Sequence, residues 1–269
     1  MRATIWGCRG SLATPGPSTV RYGGNTSSIE LRSSSGSLIV LDAGTGIRPL
    51  GLTLATERPA EIHLLLTHMH LDHVEGLGFF GPLFDPGCRI TIWGPKPDGA
   101  SLREHLAAYL SPPLFPVPFT ELPCTIEVVE IWEDTWSMDG VRVASAPVRH
   151  RGRTLGYRIE EDGRSLAFIP DNEPGLDAES GLVLAEGVDL LMHDAQYTAD
   201  EYETRVGWGH TALPDLAAYI LAADPRRTVM FHHDPSHSDD VLEAMEQSAR
   251  ELACRDAIEL AREGTDLVV

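Results

Sequence analysis

The 269-residue sequence contains a single lysine, Lys96, and few basic residues overall. Lys and Arg together number 21 and Asp and Glu number 40, which gives a formal net charge of −19 at pH 7. No polybasic lysine tract is present to bind a phosphate backbone or an anionic membrane surface. Since a strongly negative chain also repels polyanions at long range, we expect neither a large nucleic-acid substrate nor a membrane partner.

The sequence is also poor in cysteine and in long apolar runs. Its four cysteines are scattered and form no Cys-x-x-Cys pair, which is typical of proteins in a reducing compartment. No run of 18 apolar residues occurs, and the segment Met1–Gly10 has no apolar stretch long enough for a signal-peptide core. We therefore expect a cytoplasmic protein.

A composition of 42% hydrophobic and 23% charged residues is ordinary for a globular protein. No linker or repeat divides the chain, and we predict one domain over residues 1–269. Period and turn signals predict strands at Ala3–Trp6, Ser28–Arg32, Ser37–Asp42, Glu61–Leu66, Arg89–Trp93, Thr125–Val129, Val141–Ala146, Thr154–Ile159, Ser165–Ile169, Asp189–Met192 and Thr228–Phe231. They predict helices at Ile47–Ala55, Ser101–Leu110, Glu179–Glu186, Ala212–Ala222 and Asp239–Arg262.

The strongest chemical signal is Thr67-His68-Met69-His70-Leu71-Asp72-His73, which follows a predicted strand. Residues two apart in an extended segment point the same way, so His68 and His70 can hold one ion. After a turn of the chain, Asp72 and His73 can hold another. Imidazole and carboxylate groups suit zinc and similar ions, and the spacing therefore predicts a two-metal site.

Further ligands follow other predicted strands. His150 follows Val141–Ala146, Asp171 follows Ser165–Ile169, and the pair His232-His233 follows Thr228–Phe231. Together they supply enough additional donors for two ions.

This pattern, His68-x-His70-x-Asp72-His73 with later His, Asp and His, resembles the metallo-β-lactamase superfamily of hydrolases. The resemblance implies an α/β fold, a four-layer αβ/βα sandwich of two mixed β-sheets flanked by helices, with the metals at one edge. It implies two divalent ions, zinc first with manganese and iron as alternatives. The ligands it implies are His68, His70 and His150 for one ion, Asp72, His73 and His232 for the other, and Asp171 as the bridge. Whether His232 or His233 is the ligand stays open.

The segments His193-Asp194-Ala195 and Gly207-Trp208-Gly209-His210-Thr211 resemble the phosphodiesterase branch that includes ribonucleases of the RNase Z type. There, a histidine at the position of His210 serves the phosphoryl chemistry, so we predict His210 and Asp72 as catalytic residues. His193 either contacts substrate or is a buried histidine that organises its neighbours. The resemblance also implies a homodimer.

The opening Gly7–Asn25 segment resembles bacterial members of the same branch. It either forms a wall of the pocket, with Arg9, Arg21 or Asn25 contacting a phosphate, or packs over the sheet edge.

Within this branch the sequence favours a small phosphodiester, such as a cyclic nucleotide, over tRNA. The classical tRNA-processing enzymes insert a tRNA-binding arm between the counterparts of His150 and Asp171, and here those residues are only 21 positions apart. Alternatives are a tRNA 3′-processing endoribonuclease, a glyoxalase-II-like thioester hydrolase and a non-catalytic metal-binding partner module.

Overall fold

The computed structural model describes residues 1–174 and 181–269. The strands are β1 (Arg2–Gly7), β2 (Ser28–Arg32), β3 (Leu38–Leu41), β4 (Glu61–Leu65), β5 (Arg89–Pro95), β6 (Thr125–Ile131), β7 (Thr135–Met138), β8 (Val141–Pro147), β9 (Leu155–Glu161), β10 (Arg164–Ile169), β11 (Leu190–Asp194), β12 (Thr228–Phe231), β13 (Ile258–Leu260) and β14 (Asp266–Val268). The α-helices are α1 (Ile47–Glu57), α2 (Leu71–Val74), α3 (Leu102–Tyr109), α4 (Leu182–Ala185), α5 (Ala199–Tyr202), α6 (Leu213–Ala223) and α7 (Asp239–Ala253).

The strands form two seven-stranded mixed sheets with the orders β14-β1-β2-β3-β4-β5-β6 and β13-β12-β11-β10-β9-β8-β7. In the first sheet the pairings from β14 to β3 are antiparallel, and those from β3 to β6 are parallel. The second sheet repeats this division, with antiparallel pairing from β7 to β10 and parallel pairing from β10 to β13.

The core has four layers. Side chains from both sheets, among them Leu31 and Phe168, pack together between the sheets. Helices α1 and α3 cover the outer face of the first sheet, and α6 and α7 cover that of the second. The predicted fold, two mixed sheets flanked by helices, is confirmed.

A tight turn at Asp162-Gly163 joins β9 and β10 into a hairpin. Both residues have positive φ, 52° and 74°, as the tightest turns between antiparallel strands require. β9 and β10 pair through this turn, so most of the chain between His150 and Asp171 is a plain hairpin.

The predicted helix Asp239–Arg262 is wrong in its second half. α7 ends at Ala253, because Cys254 takes a left-handed conformation and its N–H bonds back to the carbonyls of Arg250 and Glu251. The following residues form β13, which pairs with β12, and β14, which pairs with β1. Pairing with strands distant in sequence overrides the helical pattern of the Glu- and Arg-rich segment.

One predicted helix overlaps the residues that the structure does not describe. The predicted helix Glu179–Glu186 begins outside the described residues, and its described part contains α4. Among the described residues, no helix combines the length and apolar character needed to cross a membrane.

The end of α7 gives a stability prediction. Cys254 is exposed and has φ 52° and ψ 42°, a conformation that costs a residue with a Cβ more than it costs glycine. Cys254→Gly should therefore raise the free energy of unfolding by about 1 kcal/mol, after the extra backbone entropy of glycine is subtracted. Urea unfolding at fixed metal concentration measures the change.

Cys254→Ala is the matched control, since it removes the thiol and keeps the Cβ. It should give no gain in stability. An equal gain in both variants would mean that loss of the thiol, and not relief of the backbone, is responsible.

Candidate metal centre

The carboxylate of Asp42, directly after β3, organises the start of the histidine motif. Its oxygens accept hydrogen bonds from the Thr67 N–H at 2.8 Å and from the Thr67 hydroxyl at 3.0 Å. They also accept from the Ser27 hydroxyl at 3.0 Å and from His73 Nδ1 at 2.7 Å. Asp42 is fully buried, so these donors replace water, and they fix the turn between β4 and α2.

Four predicted ligands form a first group: His68, His70, His150 and Asp171. Their ligand atoms lie within 4.8 Å of one another. His150 Nε2 is 3.0 Å from His70 Nδ1. Asp171 Oδ2 lies 3.6 Å from His68 Nε2 and 3.4 Å from His150 Nε2.

A second group consists of Asp72, His73 and His232. His232 Nε2 is 3.1 Å from Asp72 Oδ2. The other oxygen of Asp171, Oδ1, lies 3.1 Å from His73 Nε2 and 3.4 Å from His232 Nε2. Each group thus faces a different oxygen of Asp171, as a bridging ligand requires.

Several of the candidate metal-ligand atoms are buried and have no hydrogen-bond partner: His68 Nε2, His73 Nε2 and Asp171 Oδ1. Unpaired buried polar atoms are costly, and their convergence is explained if they bind cations. The set of imidazole and carboxylate donors fits Zn²⁺, Mn²⁺ or Fe²⁺. The residues therefore fit the two divalent ions that the sequence predicted.

The charges of the cluster perturb one another. Burial alone would raise the pKa of Asp171, but the adjacent His232, His73 and His68 hold it well below its usual value. Burial lowers the pKa of His68 well below its usual value. Burial opposes the charged form of His232 too, but Asp171 and Asp72 raise its pKa to about 9. Asp171 therefore stays ionised, the form that binds cations.

Outer hydrogen bonds fix the orientation of the imidazole rings. His150 Nδ1 donates to the Gly209 carbonyl at 2.7 Å, and His232 Nδ1 donates to Gln196 Oε1 at 2.8 Å. Such bonds set the tautomer that leaves Nε2 free for a metal. Sequence reasoning missed Asp42 and Gln196. An aspartate at the end of a buried strand was a usable signal for Asp42, whereas nothing local marks Gln196.

Two glycines make room for ligand rings. A Cβ on Gly10 would lie 2.2 Å from His232 Nδ1, and one on Gly209 would lie 2.3 Å from His150 Nδ1. In addition, the Ser11 N–H donates to Asp72 Oδ2 at 2.7 Å. The opening loop is thus part of the centre's wall.

His210 lies beside both groups and is largely buried. Its Nδ1 donates to Asp194 Oδ2 at 2.8 Å, and its ring stacks on His232 with centroids 4.7 Å apart. A ring nitrogen of His210 is within 4.8 Å of the ligand atoms of Asp171 and His232. The Asp194 bond engages Nδ1, so Nε2 is the ring nitrogen not used in this contact.

A buried glutamate that sequence reasoning missed holds the loop before His210. Glu173 Oε1 accepts from the Tyr202 hydroxyl and from the Gly207 N–H, both at 2.6 Å, and its Oε2 accepts from the Gly209 N–H at 2.8 Å. These bonds keep the pKa of Glu173 below its usual value although burial opposes this. Glu173 thereby positions Gly209, the acceptor for His150.

The three residues predicted to contact substrate lie elsewhere. The fully buried Arg9 donates to the carbonyls of Gly23, Asp234 and His237, so its guanidinium has no surface to offer a phosphate. Asn25 donates to Glu263.

The buried His193 packs on Tyr219, with ring centroids 4.4 Å apart, and its Nδ1 donates to the Asp194 carbonyl. The structure therefore places His193 in the core, as an organiser of its neighbours. His233 is also buried away from the two groups, with Nε2 3.0 Å from the Ala261 carbonyl. Burial lowers the pKa of His233 to about 3. Of the pair, His232 is the residue that joins the ligand cluster.

Comparisons with known proteins agree with this geometry. A family model described as Beta-lactamase superfamily domain matches residues 38–233. A ribonuclease Z of Mycobacterium sp. (strain KMS) is 28% identical over 193 residues, and the match covers 68% of this chain and 65% of that protein. A ribonuclease Z of Mycobacterium avium (strain 104) is also 28% identical, over 94% of this chain and 93% of its own.

Solved structures share the fold. A diphosphatase from the PhnP family superposes with a TM-score of 0.74 at 19% identity, covering 100% of this chain and 97% of its own. Zn²⁺-bound PqqB from Methylobacterium extorquens superposes with a TM-score of 0.72 at 20% identity, over the whole of both chains. Since the family model spans more than half of the sequence, the chain belongs to the beta-lactamase superfamily, and it has the metallo-β-lactamase fold.

Proposed function

We propose that this chain is a phosphodiesterase that hydrolyses small phosphodiesters, such as cyclic nucleotides, by attack of an activated water molecule. The observation that carries the proposal is the Asp194–His210 pair beside the two ligand groups, with the Nδ1 to Oδ2 distance at 2.8 Å. Expulsion of an alkoxide from phosphorus requires a proton, and a fixed histidine next to the reacting centre can supply it.

His68, His70 and His150 would hold one divalent ion, Asp72, His73 and His232 the other, and Asp171 both. Such a pair of ions lowers the pKa of a water molecule and neutralises phosphoryl oxygens. We propose zinc, which the donor set accommodates together with manganese and iron.

The chain's own residues then divide the work. Asp72, whose Oδ2 accepts from the Ser11 N–H, orients the attacking water. His210 gives the Nε2 proton to the leaving oxygen, and Asp194 keeps the ring in place throughout. Thioester hydrolysis would not need this proton donor, because a thiolate is a good leaving group.

Substrate size is inferred from the segment between His150 and Asp171. It consists mainly of β9, β10 and a two-residue turn, which leaves no room for a tRNA-binding arm. With a net charge of −19, this supports a small substrate. The second candidate is tRNA 3′-end processing, which the Mycobacterium avium ribonuclease Z favours because it matches over 94% of this chain.

Removal of a ligand should remove both metal and activity. His68→Ala and Asp171→Ala should each weaken metal binding by more than about 100-fold, beyond the usual cost of losing an outer partner. Hydrolysis of bis-p-nitrophenyl phosphate should fall to background. Elemental analysis and the rate are measured on one preparation. The control is His105→Ala, because His105 is exposed on α3 and belongs to none of the groups of possible metal ligands among the described residues. Full activity of a metal-free variant would contradict the metal assignment.

His210→Ala should retain its metal and lose rate in a manner that depends on the leaving group. A dinucleoside monophosphate, which expels an alkoxide, should slow by about 10²–10⁴-fold. Thymidine 5′-p-nitrophenyl phosphate, which expels a stable phenolate, should slow only a few-fold. Steady-state kinetics on both substrates measure the difference.

Asp194→Asn should show the same leaving-group dependence to a smaller degree. Equal losses on both substrates would contradict the proton-donor role. Turnover of precursor tRNA together with inactivity on small diesters would favour the second candidate.

A further inference from the structure

The cavity that opens beside His210 is larger than a phosphodiester needs. Its volume is about 1080 Å³, and its wall includes the opening loop from Ser11 to Pro15 on one side and Arg151, Arg205 and Trp208 on the other. Cavities of a few hundred Å³ and more suit ligands of drug size. The substrate therefore has room for groups beyond the scissile diester.

Two arginines in the wall have spare hydrogen-bond donors. Arg151 Nε donates to the Gly207 carbonyl at 2.8 Å, and Arg205 Nη1 donates to the Glu201 carbonyl at 3.1 Å. Neither guanidinium has a carboxylate within ion-pair distance in the part of the chain that the structure describes. Both side chains are thus anchored by neutral backbone carbonyls and keep several N–H donors for a ligand.

The only acidic side chain lining this cavity, within the described residues, is Asp234, and it is already engaged. Its Oδ1 accepts from the Ser236 N–H and hydroxyl, and its Oδ2 accepts from Gln196. In a protein of net charge −19, this mouth is locally cationic, and such a site favours an anion.

An aromatic surface adjoins the arginines. Trp208 is 53% exposed and lies two residues before His210. Arg205 stands over the Tyr197 ring at 5.1 Å from its centroid. An exposed indole beside guanidinium groups is a common platform for a nucleobase next to a phosphate.

We propose that this cavity binds a second phosphate group of the substrate at Arg151 and Arg205 and a nucleobase at Trp208. Planar guanidinium groups bind phosphate in a bidentate manner. The substrate class is then a nucleotide diester with an additional terminal phosphate, such as a short 5′-phosphorylated oligonucleotide. This inference rests on the proposed phosphodiesterase function and narrows its substrate.

The test compares two dinucleotides that differ only in a terminal 5′-phosphate. For the unaltered, metal-loaded enzyme, kcat/KM should be at least about 10-fold higher for the phosphorylated dinucleotide, as expected for hydrogen bonds between charged groups. In the Arg151→Ala/Arg205→Ala double variant this preference should fall to about 1. Arg153→Ala is the matched control, because Arg153 pairs with Asp98 and stacks on Trp132, and it should keep the preference.

Trp208 is tested with the same two dinucleotides. Trp208→Ala should raise KM by about 10-fold for both, whereas Trp208→Phe, which keeps an aromatic face, should restore most of the binding. Equal loss in both Trp208 variants would overturn the stacking role.

The possible failures are distinguishable. Equal kcat/KM for the two dinucleotides in the unaltered enzyme would overturn the phosphate subsite and leave the phosphodiesterase proposal standing. Hydrolysis of bis-p-nitrophenyl phosphate without hydrolysis of either dinucleotide would overturn the substrate class alone. If the metal-loaded protein hydrolyses no diester, the proposed function fails, and the subsite fails with it.

Discussion

The buried carboxylate of Asp42 is the interaction on which the centre depends. A carboxylate group without access to water requires hydrogen-bond donors around it, and Asp42 receives hydrogen bonds from Ser27, Thr67 and His73. Ser27 directly precedes β2, Thr67 follows β4, and His73 lies in α2. Asp42 itself adopts φ 59°, a strained conformation for a non-glycine residue. The strain is tolerated because one side chain ties β3, β4 and α2 into a single arrangement.

The same logic extends outward from the ligands. Each imidazole whose second nitrogen is engaged has a defined rotamer and tautomer, and the acceptors are as varied as a carboxylate, an amide and a backbone carbonyl. Gly10 and Gly209 pack closely against two of these rings and further restrict the ring orientations. Some ligand atoms, such as His68 Nε2 and Asp171 Oδ1, are left buried without a hydrogen-bond partner. Without metal these unpaired atoms would destabilise the fold. Bound divalent ions would remove this cost by coordinating them.

The position of the centre follows from the topology. The candidate ligands come from the segments that follow β4, β8, β10 and β12, and Asp72 and His73 among them lie in α2. The chain reaches the site again through the loop that carries Trp208 and His210, held by Glu173. One loop thus contributes to three features of the site. Its Gly209 carbonyl orients a candidate ligand, its histidine lies beside the two ligand groups, and its indole lines the cavity.

Local sequence indicated the candidate ligands, because alternation in an extended segment places His68 and His70 on one side and the other candidates lie near the ends of strand-like runs. The predicted strands were mostly found, since their signals lie within a few residues. Only the tertiary structure decided the rest. It selected His232 over His233, removed Arg9 and His193 from the pocket, and ended α7 nine residues before Arg262. The physical reason is distance along the chain: Asp42 and His73 are 31 residues apart, and His232 and Gln196 are 36 apart. Such contacts exist only after the two sheets have packed.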